Sequence, residues 1–402
     1  MIAFGRFGAT TANVCLKPGA REGGQAACPA NKFAFSFVVT FLIFCCSTVG
    51  LVAPNKSVAQ TQAMQSIEKL TVLANGGDIA AQEQLAERYE TGNDVLRDDR
   101  AAIAWWQKAA SAGSARAQWM LGQEYTAGVH IGRNYQVAVD WYTRSADQGY
   151  EPAQINLIGM LQGGYPGVPA DLTLAAQWAL RAAEQGSANA AHTLGEMYAG
   201  GTGVQRNLSK SVFWWRKAAE AGNHWAQARL GSSYFLGQGV DRDFSQAAVW
   251  YQRAVEGGRF EVIEPLADLY RAGQGVPFDS AKAASLYQQA AMYGSDSARL
   301  KLGELHERGE GVPRNPLQAY AWYETLVEPR PRPTAQMQQL ETLIEDELLA
   351  ETKLQMHARS RAIIDKASAN MNRLAESLPA ADRAKAKAWA ATWHPGAAAP
   401  SF

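Results

Sequence analysis

The sequence of 402 residues predicts an all-α solenoid of about seven helix–turn–helix repeats with a C-terminal helical cap. An aromatic residue or Leu recurs in steps of 36, 37, 36, 36, 36 and 36 residues, a period that is typical of stacked repeats. Its positions are Trp105, Trp141, Trp178, Trp214, Trp250, Leu286 and Trp322. Glycines that close the same unit recur in register, at Gly77, Gly113, Gly149, Gly186, Gly222, Gly258 and Gly294.

The period divides the chain into segments. A repeat array is predicted over residues 60–328, and it begins with a half-repeat at residues 61–77. Its full units are predicted at residues 78–113, 114–149, 150–186, 187–222, 223–258, 259–294 and 295–328. Alternating prolines at residues 329–333 force an extended path and end the array. C-terminal helices are predicted over residues 334–394, followed by a disordered tail at residues 395–402.

Residues 1–59 are predicted to be a targeting segment, because they contain an uncharged apolar stretch at residues 33–53 after several basic residues. The small residues Ser57 and Ala59 form a cleavage site before Gln60, which predicts a periplasmic or secreted mature protein. The alternative is an uncleaved inner-membrane anchor, since residues 33–53 are also long enough to span a bilayer. In that case the anchor would be the protein's one contact with the membrane.

Charge and cysteine usage exclude several kinds of site. The chain has 38 basic and 38 acidic residues, and no basic stripe of the kind that binds nucleic acid. All four cysteines precede the array, at Cys15, Cys28, Cys45 and Cys46. The array can therefore form neither disulfides nor a thiolate metal site, and no cofactor or metal is predicted.

The first helix of each unit, called helix A, contains the pattern Leu-Gly-x-x-Tyr. Leu194, Gly195 and Tyr198 give one copy, and Leu and Tyr four positions apart lie on one helix face. A Gly inside a helix costs about 1 kcal/mol relative to Ala. Its recurrence in this position predicts that a neighbouring helix approaches too closely for a larger side chain.

The second helix of each unit, called helix B, follows a Gly-rich turn and begins at a predicted Asp or Asn N-cap, whose short side chain satisfies free backbone donors. These N-caps are Asp98, Asn134, Asp171, Asn207, Asp243, Asp279 and Asn315. The recurring Trp follows seven positions later, and an Ala pair follows the Trp, as in Trp214, Ala218 and Ala219. A bulky residue beside small ones favours close packing of successive helices.

These units resemble the Sel1-like repeat, a relative of the tetratricopeptide repeat with a longer Gly-rich turn. The resemblance covers roughly residues 60–328, over seven copies in register. It implies an α/α right-handed superhelix whose concave face is available to protein partners. Asp94 and His130 depart from the pattern where they replace the second turn Gly, and Leu286 departs where it replaces Trp.

The aromatic series is predicted to form the core rather than a stacking platform for sugars, because it stays in strict register with the repeat. The second aromatic of each pair, such as Trp215, is included in this prediction. Trp119 and Trp225 lie off the register and are the better candidates for exposed contact. The chain has no nucleophile elbow, no Cys–His pair and no His cluster at ligand spacing, so an enzyme is not predicted.

The sequence therefore favours a non-enzymatic scaffold of the cell envelope that binds other proteins on the concave face. Helices A line that face in such superhelices, so their positions outside the core are the predicted partner-binding residues. These are Arg88, Gln123, Glu124, Glu196, Ser232, Ser233, Asp268 and Glu304. The alternative is a component that binds cell-wall material or exopolysaccharide, or takes part in its export, through exposed aromatics. Hydrolase activity, described for Cys-rich relatives, is disfavoured because the repeats contain no Cys.

Overall fold

The structure of the protein is a computed structural model that describes residues 56–327 and 350–400. The chain divides into two compact units, Met1–Ala59 and Gln60–Phe402. The predicted apolar segment at residues 33–53, the Pro-rich break at residues 329–333 and the first part of the C-terminal helices lie outside the described residues. Within the described residues, the fold is all-α and contains no strand, as the sequence predicts.

One helix opens the array, pairs of helices follow it, and two helices end the chain. The opening helix is α1 (Lys56–Asn75). The helices A are α2 (Ile79–Thr91), α4 (Ala115–Ala127), α6 (Glu151–Gly163), α8 (Ala188–Gly200), α10 (His224–Leu236), α12 (Ile263–Ala272) and α14 (Asp296–Arg308). The helices B are α3 (Asp99–Ser111), α5 (Tyr135–Asp147), α7 (Leu172–Glu184), α9 (Leu208–Glu220), α11 (Phe244–Glu256), α13 (Ser280–Met292) and α15 (Pro316–Val327). The C-terminal helices are α16 (Ala350–Ala375) and α17 (Ala380–Thr392).

The predicted N-caps of the helices B are confirmed. Asn207 is extended, and its side-chain oxygen accepts a hydrogen bond of 2.9 Å from the backbone N–H of Lys210. The corresponding bond joins Asn315 to the backbone N–H of Gln318 at 3.0 Å. Each cap satisfies one of the free N–H groups of the first helical turn, which fixes where helix B begins.

The Gly inside helix A lies against the second aromatic residue of helix B in the same unit. A Cβ added at Gly231 would come within 2.6 Å of Cδ1 of Tyr251, and a Cβ added at Gly195 would overlap the ring of Trp215. Both rings are buried. The close approach predicted from the recurring Gly is therefore confirmed, and the second aromatic of these pairs is part of the core.

The first aromatic of each pair is buried in the later units and half-buried in the first three. Five of these Trp rings carry a cation from the next helical turn over one face, in the geometry of a cation–π interaction. The pairs are Lys108 on Trp105, Arg144 on Trp141, Arg181 on Trp178, Lys217 on Trp214 and Arg253 on Trp250, at 3.7, 4.8, 5.1, 5.0 and 4.7 Å. The prediction that these aromatics form the core is therefore confirmed. The outer edge of each of the five Trp rings lies beside a Lys or Arg side chain.

A polar bond crosses the boundary between several units. Gln118 in helix A donates from Nε2 to the carbonyl of Ala110 at the end of the preceding helix B, at 3.1 Å. Gln82 makes the same bond to Ala74 of α1 at 2.9 Å. Because the last carbonyls of a helix have no partner within it, these buried Gln side chains satisfy groups that would otherwise be costly to bury. The bond of Gln82 also identifies α1 as a helix B.

The C-terminal helices and the residues after them pack on the last unit. Ala367 and Leu374 of α16 are buried beside the side chains of α15. Trp393 packs edge-to-face on Trp322 at 5.8 Å, and the carbonyl of Pro400 accepts a hydrogen bond of 2.7 Å from Gln318. This differs from the disordered tail predicted at residues 395–402: as far as residue 400, the tail lies on the array.

Candidate partner-binding surface

The helices A lie side by side and form a surface that we call the helix A row, made of α2, α4, α6, α8, α10, α12 and α14. Polar side chains join neighbouring members of this row. Glu87 of α2 pairs with Arg116 of α4, and Ser187, the N-cap of α8, donates to Glu151 of α6 at 2.6 Å. The row is thus fastened along its length by contacts between residues about one repeat apart.

Glu196, a predicted binding residue, takes part in one of these joints. Nε of Arg229 of α10 lies 2.9 Å from the carboxylate of Glu196, and Nε2 of His192 lies 3.7 Å from the same carboxylate. Burial and, to a lesser extent, the charges of Arg229 and Arg259 together lower the pKa of His192 to about 4. His192 is therefore neutral at pH 7, although the carboxylate of Glu196 lies nearby.

Asp268, a second predicted residue, forms the equivalent joint two units further on. Nζ of Lys301 of α14 lies 2.7 Å from Asp268 and 2.9 Å from Glu264, so one cation holds two carboxylates of α12. Asp268 also accepts a hydrogen bond from the hydroxyl of Tyr287. Burial raises the pKa of Tyr287 far above its usual range, and the carboxylate of Asp268 raises it further.

Two other predicted residues are enclosed rather than exposed. Ser233 is buried and donates to the carbonyl of Arg229 within its own helix at 2.9 Å, so it is not the outward-facing position that the sequence predicted. Glu304 is also buried, because α16 covers it: Nζ of Lys366 lies 2.6 Å from its carboxylate. Neither residue offers a free polar group to a partner.

The remaining predicted residues are half-buried on the helix A row. Arg88 pairs with Asp94 of its own turn at 3.1 Å, and Glu124 lies 3.0 Å from Nδ1 of His130. Ser232 accepts a hydrogen bond from the hydroxyl of Tyr251 at 3.3 Å. Partial exposure leaves each of these side chains, and Gln123, within reach of a ligand on this face.

A cavity of about 630 Å³ lies at the start of the helix A row. Residues of α2, the turn after it and α4 line this cavity. The lining includes Arg88, Glu90, Asn93, Arg116 and Met120, and it is therefore mostly polar, with one apolar residue. Such a lining suits a polar chain segment rather than an apolar small molecule.

Sequence reasoning missed the basic residues that neutralise the acidic ones. Arg229 and Lys301 occupy the same position in helix A, six residues after the N-caps Asn223 and Ser295. That recurrence was a usable signal for a joint between repeats. Of the two off-register Trp residues, Trp119 packs on Tyr150 at 5.7 Å, whereas Trp225 is 55% exposed beneath the guanidinium of Arg259.

The described part of the chain contains neither a metal-ligand cluster nor a helix that could span a membrane. Among the described side chains, those of residues 66–327 and 358–400, no group of three or more His, Cys, Asp or Glu is arranged to hold a metal ion. No helix within the described residues combines the length and apolar character that crossing a membrane requires.

Comparison with known proteins identifies the repeat. The Sel1 repeat model matches seven successive segments, at residues 79–114, 115–150, 153–187, 188–223, 226–258, 266–295 and 296–326. A Sel1 repeat protein from Oxalobacter formigenes, known from its crystal structure, is 30% identical with a TM-score of 0.53, and the match covers 71% of this chain and 81% of that chain.

A second crystal structure is that of c5321, which displays an SLR fold and is a protective antigen present in uropathogenic Escherichia coli strains. It is 24% identical to this chain with a TM-score of 0.46, and the match covers 79% of this chain and 91% of that chain. No curated protein sequence matches the chain significantly. The seven matched segments and the Oxalobacter relative establish that this chain belongs to the Sel1 repeat family, whose members generally mediate protein–protein interactions.

Proposed function

We propose that this chain is a non-enzymatic scaffold of the cell envelope that binds protein partners along the helix A row. The observation that carries the proposal is the polar cavity of about 630 Å³ between α2 and α4, on the side where helices A are exposed. Membership of the Sel1 repeat family supports it, because that family is typically non-catalytic. The envelope location rests on the apolar segment at residues 33–53.

The C-terminal helix α16 gives an example of what the helix A row can hold. Lys366 and Arg373 of α16 pair with Glu304 and Glu307 of α14 at 2.6 and 2.7 Å. A basic segment therefore docks on a helix A in this chain itself. Glu90 is an exposed acidic residue in the cavity at the other end of the row, which favours a partner segment that carries Lys or Arg.

Site-specific photo-crosslinking in the native host tests the proposal. A photoreactive residue in place of Gln84 or Glu90, both exposed and both in the cavity lining, should produce a discrete crosslinked protein. The matched controls are Glu184 and Glu220, which are exposed on helices B. Crosslinks from the controls but not from the cavity positions would show that partners bind elsewhere.

A second candidate function is binding of cell-wall material or exopolysaccharide, and one observation favours it. Trp225 and Tyr293 are each 55% exposed, and Tyr293 stacks on Phe260 with ring centroids 3.6 Å apart. Exposed aromatic rings are suitable for stacking on sugars. Retention on an exopolysaccharide column that is lost in Trp225→Ala and Tyr293→Ala would favour this function over protein binding.

A further inference from the structure

The opening helix α1 has the place of a helix B, but no helix A precedes it within the described residues. The bond from Gln82 to Ala74 fixes the register, because Gln118 makes the same bond to Ala110. Trp106 of α3 follows Leu70 by one repeat of 36 residues, so Leu70 is the equivalent of Trp106 in α1. The two positions that flank this residue on the same helix face are Ser66 and Leu73.

In every full unit these two flanking positions are buried. Equivalents of Leu73 are between 0 and 7% exposed, at Ala109, Ser145, Ala182, Ala218, Ala254, Ala290 and Leu326. Equivalents of Ser66 are between 0 and 3% exposed, at Ala102, Ala138, Ala175, Ser211, Ala247, Ala283 and Ala319. Leu73 itself is 55% exposed and Ser66 is also exposed. We call Ser66 and Leu73 the open face of α1; Leu70, between them, is buried in a cluster with Ala81 and Leu85 of α2.

The repeats themselves indicate what covers such a face. The residue between the two flanking positions is an aromatic in six of the seven units. In four of them its ring lies on the Gly of helix A in the same unit, as Tyr323 does on Gly303. Helix A therefore covers this face of helix B in those units. Leu73 is exposed, whereas the equivalent residues of the helices B are all buried. Within the described part of the chain, the face that helix A covers in those units is therefore uncovered on α1, and an exposed apolar residue of this kind indicates an interaction site.

We propose that the open face of α1 is a docking site for a helix of helix A character supplied by a partner protein. Such a helix carries a Leu, a small residue directly after it and a further apolar residue three positions after the Leu. The last unit supplies the precedent. Its helix A contains Leu302, Gly303 and Leu305, and Gly303 lies on the ring of Tyr323. Its helix B has a Leu at the Leu73 position, Leu326, which is buried in one cluster with Leu300 of that helix A and with Ala367 of α16. The site is separate from the helix A row and goes beyond the function proposed above.

The opposite end of the array cannot offer the same site. There α16 and α17 pack on α15, and α16 also covers Glu304 of α14. A partner helix that extends the array must therefore dock on α1.

A fluorescent peptide of residues 295–309, the helix A of the last unit, is the probe. Fluorescence anisotropy with the full chain should show saturable binding, weakened at least tenfold by Leu73→Lys and by Ser66→Arg. The matched control is Val72→Lys, because Val72 is 71% exposed and occupies the position at which the first five units carry Lys or Arg. It should leave binding within twofold. A peptide with Leu302→Ser and Leu305→Ser should not bind.

Four results would overturn the proposal. The first is no saturable binding, and the second is an equal effect of Leu73→Lys and Val72→Lys while circular dichroism shows both variants folded. The third is binding by a chain that begins at Gln60 but not by the full chain, together with a native form that retains residues 1–59, which would assign the face to those residues. The fourth is a doubling of mass in sedimentation that Leu73→Lys abolishes, which would assign it to a second copy.

Discussion

Lys366 of α16 and Glu304 of α14 form an ion pair, with Nζ and the carboxylate 2.6 Å apart. Two units of the array make the equivalent contact through Arg229 on Glu196 and Lys301 on Asp268. In both of those pairs the cation comes from the helix A of the following unit. Helix α16 therefore supplies the cation that an eighth helix A would bring, and it closes the array by the same contact that joins its units.

Reversing the charge of Lys366 should destabilise the end of the array. Lys366→Glu places two carboxylates together, and Glu304 is too enclosed for water to screen them, so a loss of about 1–3 kcal/mol is expected. Urea unfolding followed by tryptophan fluorescence measures it. The control is Lys385→Glu, since Lys385 is exposed and pairs with Asp382 of its own helix at 3.5 Å. Equal losses from the two variants would contradict the role given to Lys366.

Two Gly residues inside helices A should respond in opposite ways to substitution by Ala: Gly195, at the recurring Leu-Gly position, and Gly159, which lies one position after it. Gly195→Ala forces a Cβ into the ring of Trp215, and overpacking of this kind costs about 1–3 kcal/mol. Gly159→Ala adds a Cβ where nothing lies within 4 Å, so the better helix propensity of Ala should stabilise the protein by about 0.5–1 kcal/mol. Thermal denaturation compares them. Stabilisation by both substitutions would show that the Gly–Trp contact is loose.

The folded protein should lose stability in mild acid through His192. The pKa of His192 is about 4 in the folded chain, against an ordinary value of 6.5. Between these values the unfolded chain takes up the proton and the folded chain does not, so His192 contributes its full stability above pH 6.5. That contribution is lost as the pH falls toward 4, by on the order of 1–3 kcal/mol.

Denaturant unfolding at pH 7 and at pH 4.5 measures this effect. His192→Gln should reduce the difference between the two pH values, whereas the exposed His394→Gln should leave it unchanged. An unaltered difference in His192→Gln would place the acid sensitivity in other groups.

Two Trp residues eleven positions apart should differ greatly in their contribution to stability. Trp214 is buried, and Trp214→Ala should cost about 3–5 kcal/mol because it leaves a cavity in the middle of the array. Trp225 is 55% exposed, and Trp225→Ala should change stability by about 0.5–1 kcal/mol. Because each unit contacts only its neighbours, calorimetry of the Trp214 variant should resolve more than one transition. A single unshifted transition would show that Trp214 is dispensable.

The predicted cleavage before Gln60 has a direct test. Intact-mass measurement of the protein from its native host should give a chain that begins at Gln60. A chain that keeps residues 33–53 and stays with the membrane fraction would instead support the anchored form.

The sequence was sufficient for features whose cause is local or periodic. The N-cap role of Asn207 follows from a short polar side chain before a helix, and it needs no knowledge of neighbouring units. The recurring Gly at Gly195 indicates close approach because no other reason explains its cost in a helix. The identity of the group that approaches, the ring of Trp215, depends on how two helices cross, which periodicity alone does not define.

The candidate site was harder to predict because its residues are neutralised from other units. Glu196 and Arg229 lie in successive helices A, and their pairing depends on the offset between those helices. Glu304 is enclosed by Lys366, which lies outside the repeat period, so no periodic pattern in the sequence predicts that contact. The tail after α17 has a composition typical of disorder, yet Trp393 finds an apolar partner in Trp322, about 70 residues away in sequence.

The Gly–aromatic contact also bears on how the chain is made. Its two members, such as Gly195 and Trp215, are only about 20 residues apart in sequence, and the contact lies within one unit. A unit can therefore acquire its own interior as soon as its helix B has been synthesised, without waiting for the units that follow. Vectorial folding of this kind, from the amino end onward, keeps the length of exposed apolar chain to about one unit at any moment during translation.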